Sequence, residues 1–384
     1  MKKFFALILC VLCLPAALFC GCGKAKSAAS LWLIEPTAAG AEEEIRALIK
    51  TYDPDITVSF LPEAEASMRY KEAFKRGKAP DAFMFSADDI PDMAEEKQLL
   101  DLSDRLRLSD IKGDTLVEGA RRACLYQGKS WAVPFFCDVY MLAFDRTLVS
   151  LPPASMQETE DAVKAVKTEK KETASFSLPD ATRAALLYEC FAKEKGEDIL
   201  NGRQTKLTVA SKEGVQAAQS YVQLMKDAST EKDAFGSGKA AFSVLTAYER
   251  AQRKTENPQT EIGLAPLPVN RLQTLALGMS PSSENKTNMF RLCEFLFENK
   301  DKLSALYKRY TAQKDISPLM PDDEQAVRLI TSARPAPDLC GYKTFLNTYL
   351  VAALEQIGNG VDAETALTEA AKEGSSIIWQ GKRE

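Results

Sequence analysis

Ala79-Pro80-Asp81-Ala82-Phe83-Met84-Phe85-Ser86-Ala87-Asp88 decides the fold. Pro80-Asp81 interrupts what precedes it, and the apolar run Ala82 to Phe85 reads as a buried strand. Polar Ser86 and Asp88 end that run. Pro91 then opens a helix, where its missing N–H costs nothing. Upstream, Leu31 to Ile34 is another short apolar run. Ile45, Leu48, Ile49 and Tyr52 follow at helical spacing, and Ile56 to Phe60 alternates as a strand does. The first third therefore reads βαβαβα, which implies a largely parallel sheet covered by helices.

Downstream of this series the chain is more polar. Ser155 to Lys171 reads as a solvated helix with Ala162, Val163 and Val166 on one face. Val215, Ala218, Val222 and Met225 mark an amphipathic helix. Ala241 to Leu245 is a short buried strand. Ile262 to Leu264 and Leu275 to Met279 are strands on either side of a Pro-rich crossing, Pro266 to Pro268. Met289, Leu292, Cys293 and Leu296 give a further helix. Phe345 to Ile357 reads as one long helix stopped at Gly358, and Asp362 caps an alanine-rich last helix. Gly236-Ser237-Gly238-Lys239 lacks the spacing and the Ser/Thr of a phosphate loop. Gly358-Asn359-Gly360 follows a helix rather than a strand, so it is a helix terminus and not a dinucleotide fingerprint.

Composition narrows the function. A 384-residue chain with 45% hydrophobic and 27% charged residues is a globular protein long enough for two lobes. Its net charge of -5 comes from interspersed signs with no basic stripe, which argues against nucleic acid as a partner. There is no histidine, so Ser-His-Asp and Cys-His nucleophile systems and His-containing zinc sites are excluded. Carboxylate pairs still permit a glycosidase, so an enzyme is disfavoured rather than excluded. Beyond Cys22, the cysteines Cys124, Cys137, Cys190, Cys293 and Cys340 are scattered, odd in number and without a C-x-x-C. They are neither a disulfide framework nor a metal site, and small apolar core residues with at most a pair or two bridged are expected. Neither metal nor cofactor is called for.

The N-terminus is a targeting segment. Lys2 and Lys3 precede an apolar stretch from Phe4 to Phe19 that is short for a membrane span. The following Leu18-Phe19-Cys20-Gly21-Cys22-Gly23 resembles the lipobox of bacterial lipoproteins. Cys22, behind the small Gly21, fits the lipidated position better than Cys20 behind Phe19. Residues 1–21 are thus expected to be a lipoprotein signal peptide and residues 22–29 a lipidated tether.

Four stretches, with a fifth at the C-terminus, resemble the extracellular solute-binding proteins of sugar-type ABC importers, the maltose-binding-protein-like class. The first is Ala79 to Asp88 with the helix and Leu99-Leu100-Asp101-Leu102 after it. The second is Gly128-Lys129-Ser130-Trp131-Ala132-Val133-Pro134-Phe135, continuing to Asp138 and Leu142-Ala143-Phe144-Asp145-Arg146. The third is Ala234-Phe235-Gly236-Ser237-Gly238-Lys239-Ala240-Ala241-Phe242, leading to Tyr248-Glu249. The fourth is Ile262 to Pro268, followed by Leu277-Gly278-Met279-Ser280. Asp362-Ala363-Glu364-Thr365-Ala366-Leu367 resembles the closing helix of the class. Their order over nearly the whole mature chain carries more than any one of them.

The resemblance implies a two-lobed α/β fold, each lobe a mostly parallel sheet flanked by helices, with the ligand cleft between lobes. The N-terminal lobe would hold 30–134 plus 272–316, and the C-terminal lobe 135–271 plus 317–384. Crossings fall near Pro134 to Asp138, Pro268 to Leu272 and Ile316 to Pro318. The cleft positions that match are Phe85, Asp88, Asp138 and Tyr248, where rings stack on the C–H faces of a sugar and acids accept its hydroxyls. Ser86 and Glu35 end strands where the cleft should lie, and Tyr342 precedes the long C-terminal helix as another candidate ring. No arginine stands at a matched cleft position to hold a phosphate. Trp32, Trp131 and Trp379 lie outside the matched positions, which favours a small sugar or a polyol over a long oligosaccharide.

The expected function is capture of such a ligand by a monomeric protein, lipid-anchored at the cell membrane and facing the periplasm or cell exterior, for delivery to the membrane permease of an ABC importer. A surface lipoprotein using the same fold as a sensor or adhesin is the alternative. Cys22→Ala should abolish incorporation of labelled fatty acid, whereas full labelling of that variant would move or end the anchor assignment.

Overall fold

The computed structural model describes residues 28–379 except 232, 258, 260 and 320–322. The signal peptide called over residues 1–21 and Cys22 lie outside the described residues. The N-terminal strands are β1 (Ser30–Ile34), β2 (Thr57–Leu61) and β3 (Ala82–Ser86), followed by a small hairpin of β4 (Leu125–Tyr126) and β5 (Lys129–Ser130). The 14-residue strand β6 (Ala132–Asp145) comes next, then β7 (Ala174–Phe176), β8 (Ala240–Thr246), β9 (Ile262–Pro266), β10 (Leu272–Met279) and β11 (Tyr310–Thr311).

The main sheet runs β2-β1-β3-β10-β6-β8-β7, with β9 and β11 also paired to β6. β1 is parallel to β2 and β3, as the βαβαβ reading requires. The sheet as a whole is mixed, because β10 returns antiparallel to β3 and β6 runs antiparallel to β10. β6 is the strand on which two halves of the molecule meet. From Ala132 to Val139 it pairs with β10 and β11, and from Tyr140 to Asp145 with β8 and β9. Pro134 has no N–H to give to a ladder, and the register between β6 and β10 slips there: Leu275 faces Phe136 while Ala276 faces Pro134. The unpaired Phe135 carbonyl accepts the N–H of Ala312 at 2.9 Å instead.

Each half has its own core. The first packs β1, β3 and β10 against the helices Ala41–Tyr52 and Lys286–Glu298 through Ile45, Ile49, Met289 and Leu292, all fully buried. The helix Ala41–Tyr52 forms because Ala41, Ile45, Leu48 and Ile49 share one face, with Glu42, Glu43 and Glu44 in the first turn favouring the positive end of the helix dipole. The second core packs β8 and the distal part of β6 against Ala181–Glu194, Lys212–Met225 and the C-terminal helices.

The helices Ala181–Glu194, Ala247–Glu256 and Glu324–Ser332 did not stand out in the sequence. The long helix expected over Phe345 to Ile357 spans Tyr342 to Gly358, and its turn Phe345–Leu350 is π-helical, widened by an extra residue. After it the chain turns at Gly360 with φ +93°, a left-handed conformation suited to glycine. Asp362 then caps Ala363–Ile378, accepting the N–H of Thr365 at 2.9 Å.

Cys124, Cys137, Cys190, Cys293 and Cys340 are free thiols, and all but Cys340 are buried. Among the described residues no helix is long and apolar enough to cross a membrane. The melting temperature of the mature chain should be unchanged by reductant. A large drop would reveal a bridge, since a native disulfide typically contributes about 2–4 kcal/mol.

Candidate functional site

The centre of β6 is built around a buried carboxylate. Asp138, 4% exposed, accepts N–H bonds from Val139 (2.7 Å), Ala247 (3.2 Å) and Tyr248 (2.9 Å). The last two are orphan donors of the first turn of the helix Ala247–Glu256. Thr246 and Glu249 close the same terminus as a reciprocal capping box. Asp138 therefore fastens a helix of the second half to the strand shared by both. Burial pushes its pKa up to about 7, against the opposing pull of these N–H groups and of the nearby Arg309 charge.

Beside this junction lies a cavity of about 860 Å³. The helix Glu63–Lys75 contributes Glu63, Ser67 and Lys71, and the end of β3 contributes Ser86, Asp88 and Asp89. The facing wall is Tyr140, Asp180, Thr182, Arg183, Tyr248 and Glu249, with Lys343 and Asn347 from the C-terminal helix. Gln273 and Arg309 lie between the two. Most of the charges are paired internally. Arg183 is bonded to Asp180 and Glu249, and Arg309 to Glu63. Lys343 Nζ reaches Asp89 at 2.9 Å across the cavity. Burial pulls the Lys343 ammonium down, and Asp89 and Asp88 more than offset this, so its pKa stays above the usual value.

The Arg183 guanidinium stands 5.4 Å from the Tyr140 ring centre and that of Arg309 4.3 Å from the Tyr248 ring centre. Each guanidinium holds its ring by a cation–π contact and covers part of it. Asp88 differs from its neighbours. Its carboxylate has no hydrogen-bond partner among the described residues, and burial raises its pKa, with Lys343 and Arg271 opposing.

The residues expected from sequence divide clearly. Ser86, Asp88 and Tyr248 line the large cavity. Tyr342 lines a smaller chamber behind Asp88. Phe85 does not reach either space. It is fully buried with its ring 4.9 Å from that of Phe83, because β3 is covered on both faces until Ser86. Asp138 lines neither cavity, since its oxygens are taken up by backbone N–H groups. Glu35 is exposed at the end of β1 and lines neither. Arg183, Arg309, Lys343 and Tyr140 were missed. For Tyr140 a signal existed, since it lies two residues beyond Asp138 on an apolar strand. The two arginines line the cavity at positions that the motifs do not cover.

A mixed α/β sheet split into two lobes about a shared strand, with a polar cleft beside the junction, is the architecture of a binding protein. Residues 46–322 match the family described as bacterial extracellular solute-binding protein, and the chain belongs to that family. Solved structures of similar fold include a solute-binding protein of an ABC transporter from Thermotoga lettingae bound with α-D-tagatose. It is 18% identical, with a TM-score of 0.78 over 91% of this chain and 99% of that one. UgpB from Mycobacterium tuberculosis in complex with glycerophosphocholine is 17% identical, with a TM-score of 0.78 over 92% and 99%. A maltotriose-binding protein of Pyrococcus abyssi is 27% identical over 110 residues, which are 29% of this chain and 24% of that relative.

The raised pKa of Asp138 has a consequence for stability. Between its ordinary value of 3.8 and about 7 the folded chain holds the proton that the unfolded chain has lost. The contribution is therefore complete below the lower value and is lost as pH rises through about 7. Asp138→Asn keeps an acceptor for the helix and removes the titration. Urea unfolding at a series of pH values should show wild type losing roughly 1–4 kcal/mol relative to the variant over that interval, at about 1.4 kcal/mol per pKa unit. Parallel curves would contradict the assignment.

Proposed function

We propose that this chain is the substrate-binding lipoprotein of an ABC-type importer, anchored through Cys22 at the cell membrane, and that it captures a small carbohydrate or polyol in the cleft beside β6. The observation that carries this reading is the cleft of about 860 Å³ itself, walled from both sides by hydroxyl, amide and ionic groups around Tyr140 and Tyr248. Hydroxyl-rich ligands suit such a wall: acceptors and donors alternate around it, and the exposed parts of the two rings offer apolar contact to C–H faces. The binding residues are Ser86, Asp88, Tyr140, Thr182, Tyr248, Lys343 and Asn347. Asp138 acts behind them by holding the helix that carries Tyr248. The chain acts as a monomer, without catalysis or cofactor, and hands its ligand to the membrane permease.

The lobes divide as 30–134 with 272–316 and 135–271 with 317–384, and β6 is the principal crossing. Ligand contacts made from both sides favour the closed arrangement, and only that differential contact shifts the population.

Calorimetry against mono- and disaccharides and polyols, with X-ray scattering to follow compaction, tests the reading. A binding member should compact the protein, and Tyr248→Ala should weaken it by roughly tenfold, about 1.4 kcal/mol. If no member binds or compacts the chain, the transport reading fails.

A further inference from the structure

Behind Asp88 the large cavity continues into a chamber of about 40 Å³. Its floor is apolar, formed by Leu186, Pro337, Leu339 and Leu346. Its mouth is polar and shared with the large cavity through Asp88, Thr182, Lys343 and Asn347. Its back wall is an ion pair: Arg271 donates to both oxygens of Glu189 at 2.6 Å, with Tyr342 beside them. Arg271, Glu189 and Tyr342, with Ala336 and Pro337, also line a second crevice of about 820 Å³, so these residues stand between the two spaces.

We infer that this chamber is the terminal subsite of the ligand cleft, taking a one-carbon end bearing a hydrogen-bond donor, a hydroxymethyl or aminomethyl group, and excluding carboxylate and phosphate termini. The inference rests on the cleft being the ligand site.

Size, polarity and charge each support it. The volume exceeds the minimum needed for one water and admits a group of only a few heavy atoms. The leucines and Pro337 suit a methylene body, while Asp88 at the mouth is an acceptor without a hydrogen-bond partner among the described residues. The cations that an anion would seek are committed elsewhere, Arg271 to Glu189 and Lys343 to Asp89 at 2.9 Å. An anionic terminus would meet Asp88 with no uncommitted cation among the described residues that line the chamber, and a buried like-charge contact is costly. A hydroxyl gains an acceptor there, and an ammonium gains an ion pair.

Leu186 and Leu346, 4% and 8% exposed, are the side chains whose enlargement would fill the chamber without touching the walls of the large cavity. The test is calorimetry with two series matched at every one-carbon end: sorbitol, 1,6-diamino-1,6-dideoxysorbitol, glucarate and sorbitol 1,6-bisphosphate, then glucose, 6-amino-6-deoxyglucose, glucuronate and glucose 6-phosphate. In at least one series wild type should bind the neutral and amine members at least roughly tenfold more tightly than the anionic ones. Leu186→Phe should weaken the neutral member by roughly tenfold or more. Leu346→Phe serves if the first variant fails to melt cooperatively. Asp88→Asn should narrow the gap between amine and carboxylate members, a change in ratio that mere loss of folding would not produce. Equal binding of anionic members overturns the inference, as does a filled chamber that leaves the neutral member's affinity unchanged. Either leaves the cleft reading intact. If no member of either series binds wild type, the inference falls together with the carbohydrate reading beneath it.

Discussion

The carboxylate of Asp138 is the interaction on which the rest of the molecule hangs. A buried carboxylate is costly unless its oxygens are hydrogen-bonded, and here three backbone N–H groups offset part of that cost. Two of them belong to the start of the helix Ala247–Glu256, whose own first-turn donors need acceptors. One side chain thus answers two requirements and fixes the position of Tyr248 relative to β6. The strand itself runs unbroken from Ala132 to Asp145, changing partners near Val139 and Tyr140, with Asp138 at the change. A second buried tie lies nearby, where Arg250 of the same helix donates to Asp323 at 2.7 Å and Asp323 accepts the Tyr310 hydroxyl at 2.6 Å.

With Asp138 committed to backbone N–H groups at the junction, the chemistry is left to the cleft. Its wall carries many charges, yet most are matched within the protein, so little net charge faces a ligand. The guanidinium groups that hold Tyr140 and Tyr248 also shield part of each ring, which limits the area available for stacking. Such a wall discriminates by hydrogen-bond geometry more than by broad apolar contact. Asp88 and the small chamber behind it are where that discrimination concentrates. Lys343, bonded to Asp89 across the cleft, and the Gly341 N–H, bonded to Asp92 at 2.6 Å, join the two sides.

How much of this was legible follows from which signals are local. β1, β2 and β3 were readable because each is a short apolar or alternating run bounded by turn residues, and their parallel order follows from the helices between them. β6 was not readable as one strand, because Pro134 interrupts its pattern and only the slipped register with β10 accommodates it. In the site, Ser86 and Asp88 were legible as polar residues at a strand end, and Tyr248 through its place in a motif. Phe85 misled because an aromatic at a strand end looks the same whether its face is covered or open. The direction of Asp138 was illegible, since two of its three partners lie 109 and 110 residues away. Arg183, Arg309 and Lys343 likewise come from distant segments, and nothing local marks them.

The central claim is that one small molecule is held beside β6 from both sides of the cleft. A crystal structure of the protein purified from its host with its co-purified ligand tests it most directly. The account predicts density in the large cavity in contact with Asp88, Tyr140 and Tyr248 at once. Density confined to the crevice beyond Arg271 and Glu189, or ligand touching only one wall of the cleft, would contradict it.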